Sequence, residues 1–449
     1  MKLILRNIGK IKEAEIDLDK QLTVFFGPNN NGKTYVSYCL YGLSNSSNFW
    51  QYISQFRNVL QINVTDLIEN GNMDIDLNNL FLPLQEELKS IFIQGYKNLL
   101  PELFGNGNID YTNSEIYPVA LENELLLKEY VSKFQFSFFS IKILYGFELF
   151  FEKKQNGIVS IKVSFVQSNK EINVALADNL FDWISDFLLR SFLSQEIQSS
   201  FFLPAERIGI AVFGKELVLN RFKNTSGIVK LENFTTYSSV INDAIQRQFQ
   251  MNNLQSKKIN GDFVLLAEEL EKEILQGKLT VNETGDAFYS NENLEPLSIL
   301  SSASTIKSLS SLVFYLRYFA AKGQTLFIDE PEINLHPDNQ RKIARFLAKL
   351  SNAGIKIFLS THSDYLLREF NTLLMLNKSS DETDKLMEKY GFKKEEVLSH
   401  KNVGAYLFKD GFAKEIEVTE TGFSAETIDE TISEQNKAFN DIRWTLFED

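Results

Sequence analysis

Five residues of strand character, Leu22-Thr23-Val24-Phe25-Phe26, run straight into Gly27-Pro28-Asn29-Asn30-Asn31-Gly32-Lys33-Thr34, and a helical run follows from Tyr35 to Leu43. Nothing else in the chain constrains the fold as tightly. A G-x-x-x-x-G-K-[ST] spacing between a strand and a helix makes a phosphate-binding loop and implies an α/β sheet around it. Successive backbone N–H groups turn inward there, and the helix N-terminus adds the positive end of its dipole. Gly27, Asn29, Asn30, Asn31 and Gly32 are therefore expected to cradle a polyphosphate. Lys33 is expected to reach the β- and γ-phosphates of ATP, and Thr34 to place its hydroxyl on Mg²⁺. A plain Gly/Asn turn would link the two elements as well, but it would not call for Lys and Thr after the second glycine.

Two later runs have the same form. Thr325-Leu326-Phe327-Ile328-Asp329-Glu330-Pro331-Glu332 is an apolar strand that ends in carboxylates. A buried parallel strand reads as a continuous apolar run, and ligands sit at the C-terminal edge of such sheets. Asp329 is the expected Mg²⁺ partner, and Glu330 is placed to polarise the attacking water. Ile355-Lys356-Ile357-Phe358-Leu359-Ser360-Thr361-His362-Ser363 delivers a histidine at a strand end. One helix, about Asp338 to Leu350, lies between these strands, so βαβ connectivity brings both ends to one edge.

Composition is that of an ordinary globular protein, with 44% hydrophobic and 23% charged residues over 449 positions. That length allows two or three structural units. A net charge of -13 opposes nonspecific phosphate contacts, so nucleic acid would need a local patch. Lys215, Arg221, Lys223 and Lys230 form the one modest basic cluster beside the Leu203–Arg207 strand. Thirty-eight Phe point to an aromatic core. The single cysteine, Cys39, reads as a buried apolar residue. His336, His362 and His400 lack zinc spacing. Met1 to Arg6 does not open a signal peptide, and the apolar window Phe134 to Phe151 is broken by Lys142 and Glu148. A cytoplasmic protein that makes no membrane contact is expected.

Between these landmarks, Met1 to Thr23 alternates as two short strands. Ser44 to Asn48 is a polar break, a helix covers Leu82 to Leu100 ahead of Pro101, and Gly105 to Asn113 is a loop. Phe134, Phe136 and Phe138 alternate, and Asn156-Gly157 between Phe147–Lys154 and Ile158–Val166 is a strong hairpin signal. A turn at Asn169-Lys170 then leads to a strand at Ile172–Leu176, completing an antiparallel meander, with helix from Asp178 to Leu193. Phe201 to Arg207 is a short strand ending in an ion-pair-capable Glu206-Arg207. Helices are expected over Tyr237–Gln250, Asp262–Gln276 and Ile306–Ala321, and a hairpin over Leu279–Tyr289.

Together these residues resemble an ABC-type ATPase. Gly27 to Thr34 looks like a Walker A loop, Leu326 to Glu330 a Walker B strand, His362 a switch histidine, and Asn334-Leu335-His336-Pro337 a D-loop. Ser301-Ser302-Ala303-Ser304 lies where the family carries its signature, with Leu300 and Ser301 fitting Leu-Ser-Gly-Gly-Gln and the next three residues departing from it. The DEPE-x-x-LHP form and the Leu203-Pro204-Ala205-Glu206-Arg207 strand look most like the branch of overcoming-lysogenization-defect proteins, RecF-like proteins and ATPase subunits of anti-phage systems.

The resemblance implies a P-loop head, a mixed sheet flanked by helices, with an inserted α+β region. The expected boundaries are 1–44 and 200–375 for the head, 45–199 for the insertion, and 376–449 for a C-terminal α/β extension. It implies ATP and Mg²⁺ as cofactors and a homodimer or higher oligomer. Two ATP molecules would be held between the Walker A loop of one protomer and Ser301 and Ser302 of the other. The role implied is a sensor or scaffold in bacterial anti-phage defence, with a separately encoded effector. A RecF/SMC-like DNA-repair ATPase that binds DNA remains the alternative. A transporter subunit is disfavoured by the long separation of Lys33 from Ser301. A built-in nuclease is disfavoured because Glu415, Glu417, Glu420, Glu426, Asp429 and Glu430 read as a solvated acidic face.

Overall fold

The structure, a computed structural model, describes all residues except 46, 106–108, 134–138, 144–146, 155–156, 166–173, 195–198, 215–236, 251–260, 283–284, 425 and 448–449. Its centre is a nine-stranded mixed sheet of β1 (Lys2–Ile8), β2 (Ile11–Asp17), β3 (Leu22–Phe26), β5 (Glu115–Pro118), β9 (Ser200–Leu203), β13 (Thr325–Asp329), β14 (Lys356–Thr361), β15 (Val403–Lys409) and β16 (Phe412–Ile416), in the order β5-β1-β2-β16-β15-β3-β14-β13-β9. A second sheet is built from β4 (Asn72–Asp76), β6 (Phe139–Ile143), β7 (Phe147–Lys153) and β8 (Ile158–Phe165), in the order β4-β8-β7-β6. The third is the meander β10 (Lys278–Val281), β11 (Ala287–Asn291) and β12 (Leu294–Ser298).

The five strands from β15 to β9 run parallel to one another. Helices cover both faces of this block, so its strands are apolar on both sides. Leu22, Val24 and Phe26 of β3, with Leu326, Ile328, Ile357 and Leu359, pack under the helices Ser304–Tyr318, Pro337–Asn352 and Asp364–Met375. The alternate residues face the phosphate-loop helix Lys33–Asn45. There the phenylalanines cross the sheet strand by strand. Phe202 lies 5.8 Å from Phe327, Phe327 5.2 Å from Phe358, Phe358 6.1 Å from Phe25, and Phe25 5.3 Å from Phe408. Cys39 is buried in the same core, and burial pushes its thiol up.

The region expected as an insertion shares that core: Phe49, Phe92, Tyr96, Leu149 and Phe151 belong to one cluster with Phe25 and Phe358. Within it, β5 pairs with β1 and so joins the central sheet. Likewise β15, from the segment expected as an extension, lies directly beside β3.

Several expectations shift. The helix Gln85–Phe104 runs through Pro101 instead of ending before it. Leu99, Leu100 and Leu103 are buried on either side of the ring, so packing outweighs the lost hydrogen bond, and Gly105 in the left-handed region ends the helix. In place of a strand reaching Leu176, a helix starts at Val174 and runs to Ser194, with Leu180, Ile184 and Leu188 buried at helical spacing. The hairpin β7–β8 is antiparallel, with Gly157 at φ 78°. Phe134, Phe136, Phe138, Asn156, Asn169, Lys170 and the basic cluster Lys215, Arg221, Lys223 and Lys230 lie outside the described residues. Among the described residues, no helix is long and apolar enough to cross a membrane.

Candidate nucleotide site

Strand β14 lies between β3 and β13, all three parallel. Their C-terminal ends therefore release the Gly27–Thr34 loop, Asp329-Glu330 and His362 along one edge of the sheet. The loop backbone is specific. Gly27 has φ 125°, Asn30 60° and Gly32 91°. A Cβ on Gly27 would stand 2.4 Å from the Phe408 carbonyl oxygen, and one on Gly32 would stand 2.3 Å from Ile11 Cδ1. Both glycines are thus required by left-handed backbone and by close neighbours. Asn31 braces the loop from inside, donating to the Pro28 and Asn29 carbonyls and accepting from the Asp410 N–H. Pro28, Asn29 and Asn30 are exposed, as is Thr34 at the first turn of the helix.

Lys33 is buried, and its Nζ donates to the Gly27 and Pro28 carbonyls at 3.0 and 2.9 Å. Burial lowers its pKa to about 8, against the pull of Glu330, Asp329 and Glu332. Those three carboxylates belong to one turn. Asp329 is buried, accepts from Ser360 Oγ at 2.7 Å, and is raised by burial to about 7. Glu330 is half-buried and sits at φ 48°, a left-handed conformation that a side chain adopts at a cost. His362 Nε2 lies 3.9 Å from Glu330 Oε1, too far for a hydrogen bond. Burial, with Lys33 adding to it, lowers the imidazole to about 4, so it is neutral at pH 7.

Three further residues hold this arrangement. Glu332 Oε1 accepts from Thr361 Oγ1 at 2.7 Å and from the His362 N–H at 2.8 Å, tying the carboxylate turn to the histidine turn. Its Oε2 is buried without a hydrogen-bond partner among the described residues. Arg207 is 3% exposed, and its guanidinium donates to the carbonyls of Pro204, Ser308, Asp329 and Glu330 and to Ser308 Oγ. In place of a local pair with Glu206, it joins the ends of β9 and β13 to the helix Ser304–Tyr318. Ser360 is the third. Only Arg207 had a visible sequence signal, a cation directly behind an apolar strand; Glu332 was legible as a carboxylate but not as a brace.

Ser301 and Ser302 are not brought to the phosphate loop of their own chain by any hydrogen bond among the described residues. Ser301 ends a short 3-10 turn and is exposed. Ser302 is buried and donates to the Ser298 carbonyl. They precede the helix Ser304–Tyr318, whose Thr305 hydroxyl donates to the Asn334 carbonyl at 2.9 Å. His336 caps the next helix, its Nδ1 accepting from the Asp338 N–H.

The oxygen donors expected for Mg²⁺ are one carboxylate, Asp329, and one hydroxyl, Thr34. That set fits a hard cation held jointly with substrate phosphates, as Mg²⁺ usually is. The buried Asp329 carboxyl, raised by desolvation, is the kind of group that a cation would stabilise in its ionised form.

No curated protein matches the chain. Among solved structures it is similar to an Smc head bound to the C-winged helix domain of ScpA, with 12% identity, 92% of this chain and 96% of that chain covered, and a TM-score of 0.35. An Smc head with an extended coiled coil, bound to the C-terminal domain of ScpA derived from Pyrococcus furiosus, gives 12%, 97%, 98% and 0.33. The SMC head domain from Thermotoga maritima gives 9%, 93%, 98% and 0.31. Superpositions this loose carry no argument about this chain. The sequence profile described as AAA ATPase domain matches residues 1–367, which takes in the phosphate loop, the carboxylate strand and the histidine strand. The chain belongs to the AAA ATPase domain family.

Proposed function

We propose that the chain binds and hydrolyses ATP as an ABC-type ATPase dimer. The observation that carries this reading is the delivery of Lys33, Asp329-Glu330 and His362 from three adjacent parallel strands to one edge. Phosphoryl transfer needs positioning and charge stabilisation more than covalent help, and these groups supply both. Lys33 exchanges the Gly27 and Pro28 carbonyls for phosphate oxygens. Glu330 orients the attacking water, and neutral His362 bonds the transferring phosphoryl group or that water. Thr34 and Asp329 would hold Mg²⁺, which would supply neutralising charge to the phosphates. Ser301 and Ser302 meet the nucleotide of the partner protomer. The sequence resemblance in the DEPE-x-x-LHP run extends this to a sensor or scaffold role in anti-phage defence, acting on a separately encoded effector.

The test is a pair of substitutions in the purified protein. Lys33→Ala should abolish ATP binding, whereas Glu330→Gln should keep binding and slow turnover by about 100-fold or more. Equal turnover by the Glu330→Gln protein and its parent would sink the assignment.

A further inference from the structure

The last helix described is Glu426–Phe447. From Glu434 to Thr445 every residue is exposed, on all sides of the helix. Phe439, Ile442 and Trp444 have 63%, 56% and 63% of their surface in solvent. Most helical stability in proteins comes from packing an apolar face, and large apolar side chains left in solvent mark a contact surface.

The spacing of its residues says what kind of surface covers it. Ile428, Ile432, Gln435, Phe439, Ile442 and Leu446 follow one another at intervals of four, three, four, three and four. That is an unbroken heptad seam, apolar at all positions but Gln435. A helix seated in a groove of a globular partner shows a wider stripe of period 3.6, whereas period 3.5 matches another helix of the same period. The charges suit a second copy of the chain. Glu426, Glu430, Glu434, Lys437 and Asp441 fall at heptad positions remote from the seam. The positions flanking it are Asp429, Thr431, Asn436, Ala438, Arg443 and Thr445, with one acid and one base among them. Two copies therefore meet without like-charge repulsion. Phe439 and Ile442 are the described apolar residues of that seam, and both stand largely in solvent. A lipid surface is the poorer match, because the helix carries five acids against two bases.

We propose that this helix pairs with the same helix of a second copy as a two-stranded coiled coil, and that this contact holds the dimer in the absence of nucleotide. The proposal stands apart from the nucleotide-site reading, since the seam shares no residue with that site.

The test is the mass of the full chain, 51.6 kDa per copy, by analytical ultracentrifugation in nucleotide-free buffer. The parent and the Lys33→Ala protein should both sediment as two chains. Phe439→Glu and Ile442→Glu should each raise the dimer dissociation constant by about 100-fold, because a carboxylate is then forced into the seam. Their melting and circular dichroism at high concentration report whether the fold survives. Trp444→Glu is the control: Trp444 is as exposed as Phe439 but lies off the seam, and its variant should remain a dimer. A single-chain parent would overturn the proposal. So would a dimer that survives the double substitution Phe439→Glu/Ile442→Glu, or one that Trp444→Glu breaks equally.

Discussion

Ser360 on β14 donates its hydroxyl hydrogen to Asp329 Oδ1 on β13 at 2.7 Å, and the two residues are register partners across the parallel pair. The bond fixes a buried carboxylate that burial would otherwise leave free to turn. Ser360→Ala strands that oxygen, so stability should fall by about 1–3 kcal/mol in urea unfolding. ATP turnover should need more Mg²⁺, while Mg²⁺-independent nucleotide binding stays as in the parent. An unchanged Mg²⁺ dependence would remove Asp329 from the metal role.

Arg207 makes a second prediction. Its planar fork serves four carbonyls and a hydroxyl, which a lysine ammonium cannot reach together. Arg207→Lys should cost about 3–5 kcal/mol, the usual result of leaving a buried charge underpartnered. Where the variant still folds, turnover should drop more than ATP affinity, because the Asp329 and Glu330 carbonyls are no longer held. Equal losses in both would mean a purely structural role.

The shared-site reading is tested at Ser301. Its exposure leaves room for a larger side chain in the free protomer. Ser301→Arg should therefore keep single-site ATP binding and block hydrolysis by filling the partner's γ-phosphate position. Mixing it with Lys33→Ala protein should restore at most one of two sites. Full activity of Ser301→Arg at low protein concentration would point to a self-contained monomer.

A fourth prediction concerns stability far from the nucleotide. Arg317 and Glu271 form a buried ion pair at 2.5 Å, and Glu271 also accepts from the Leu279 N–H. Burial raises the Glu271 carboxyl above its ordinary value. Arg317→Met should destabilise the protein by about 3–5 kcal/mol at pH 8. A carboxyl raised in the folded state favours folding at low pH and loses that contribution as pH rises through its folded pKa. The variant's deficit should accordingly be smaller at pH 5 than at pH 8, as thermal melts across that range would show.

What the sequence disclosed follows the range of each interaction. The phosphate loop was legible because its spacing is local, and the hairpin β7–β8 because a turn and two alternating runs suffice. Strand β13 was legible as buried, but an apolar run does not say which strand lies beside it. The pairing of β5 with β1 and of β15 with β3 are long-range choices settled by packing. Pro101 misled for the same reason, since the buried leucines around it belong to tertiary structure. Arg207 looked like half of an ion pair because carbonyl partners leave no mark in a sequence.

The place of β15 beside β3 has a consequence for how the protein is made. The strand that carries the phosphate loop is translated long before either of its sheet neighbours; the bond from the Asp17 N–H to the Tyr406 hydroxyl spans 389 residues. At a synthesis rate of about 5–20 residues per second, β3 waits on the order of 20–80 s before both of its edges can be paired. No ribosome-bound fragment ending before β15 holds a finished phosphate loop, because the Phe408 backbone that walls Gly27 has not yet been made. Nucleotide binding thus becomes a property of a polypeptide already made past β15, and an exposed apolar strand makes the earlier chain a natural client for chaperones.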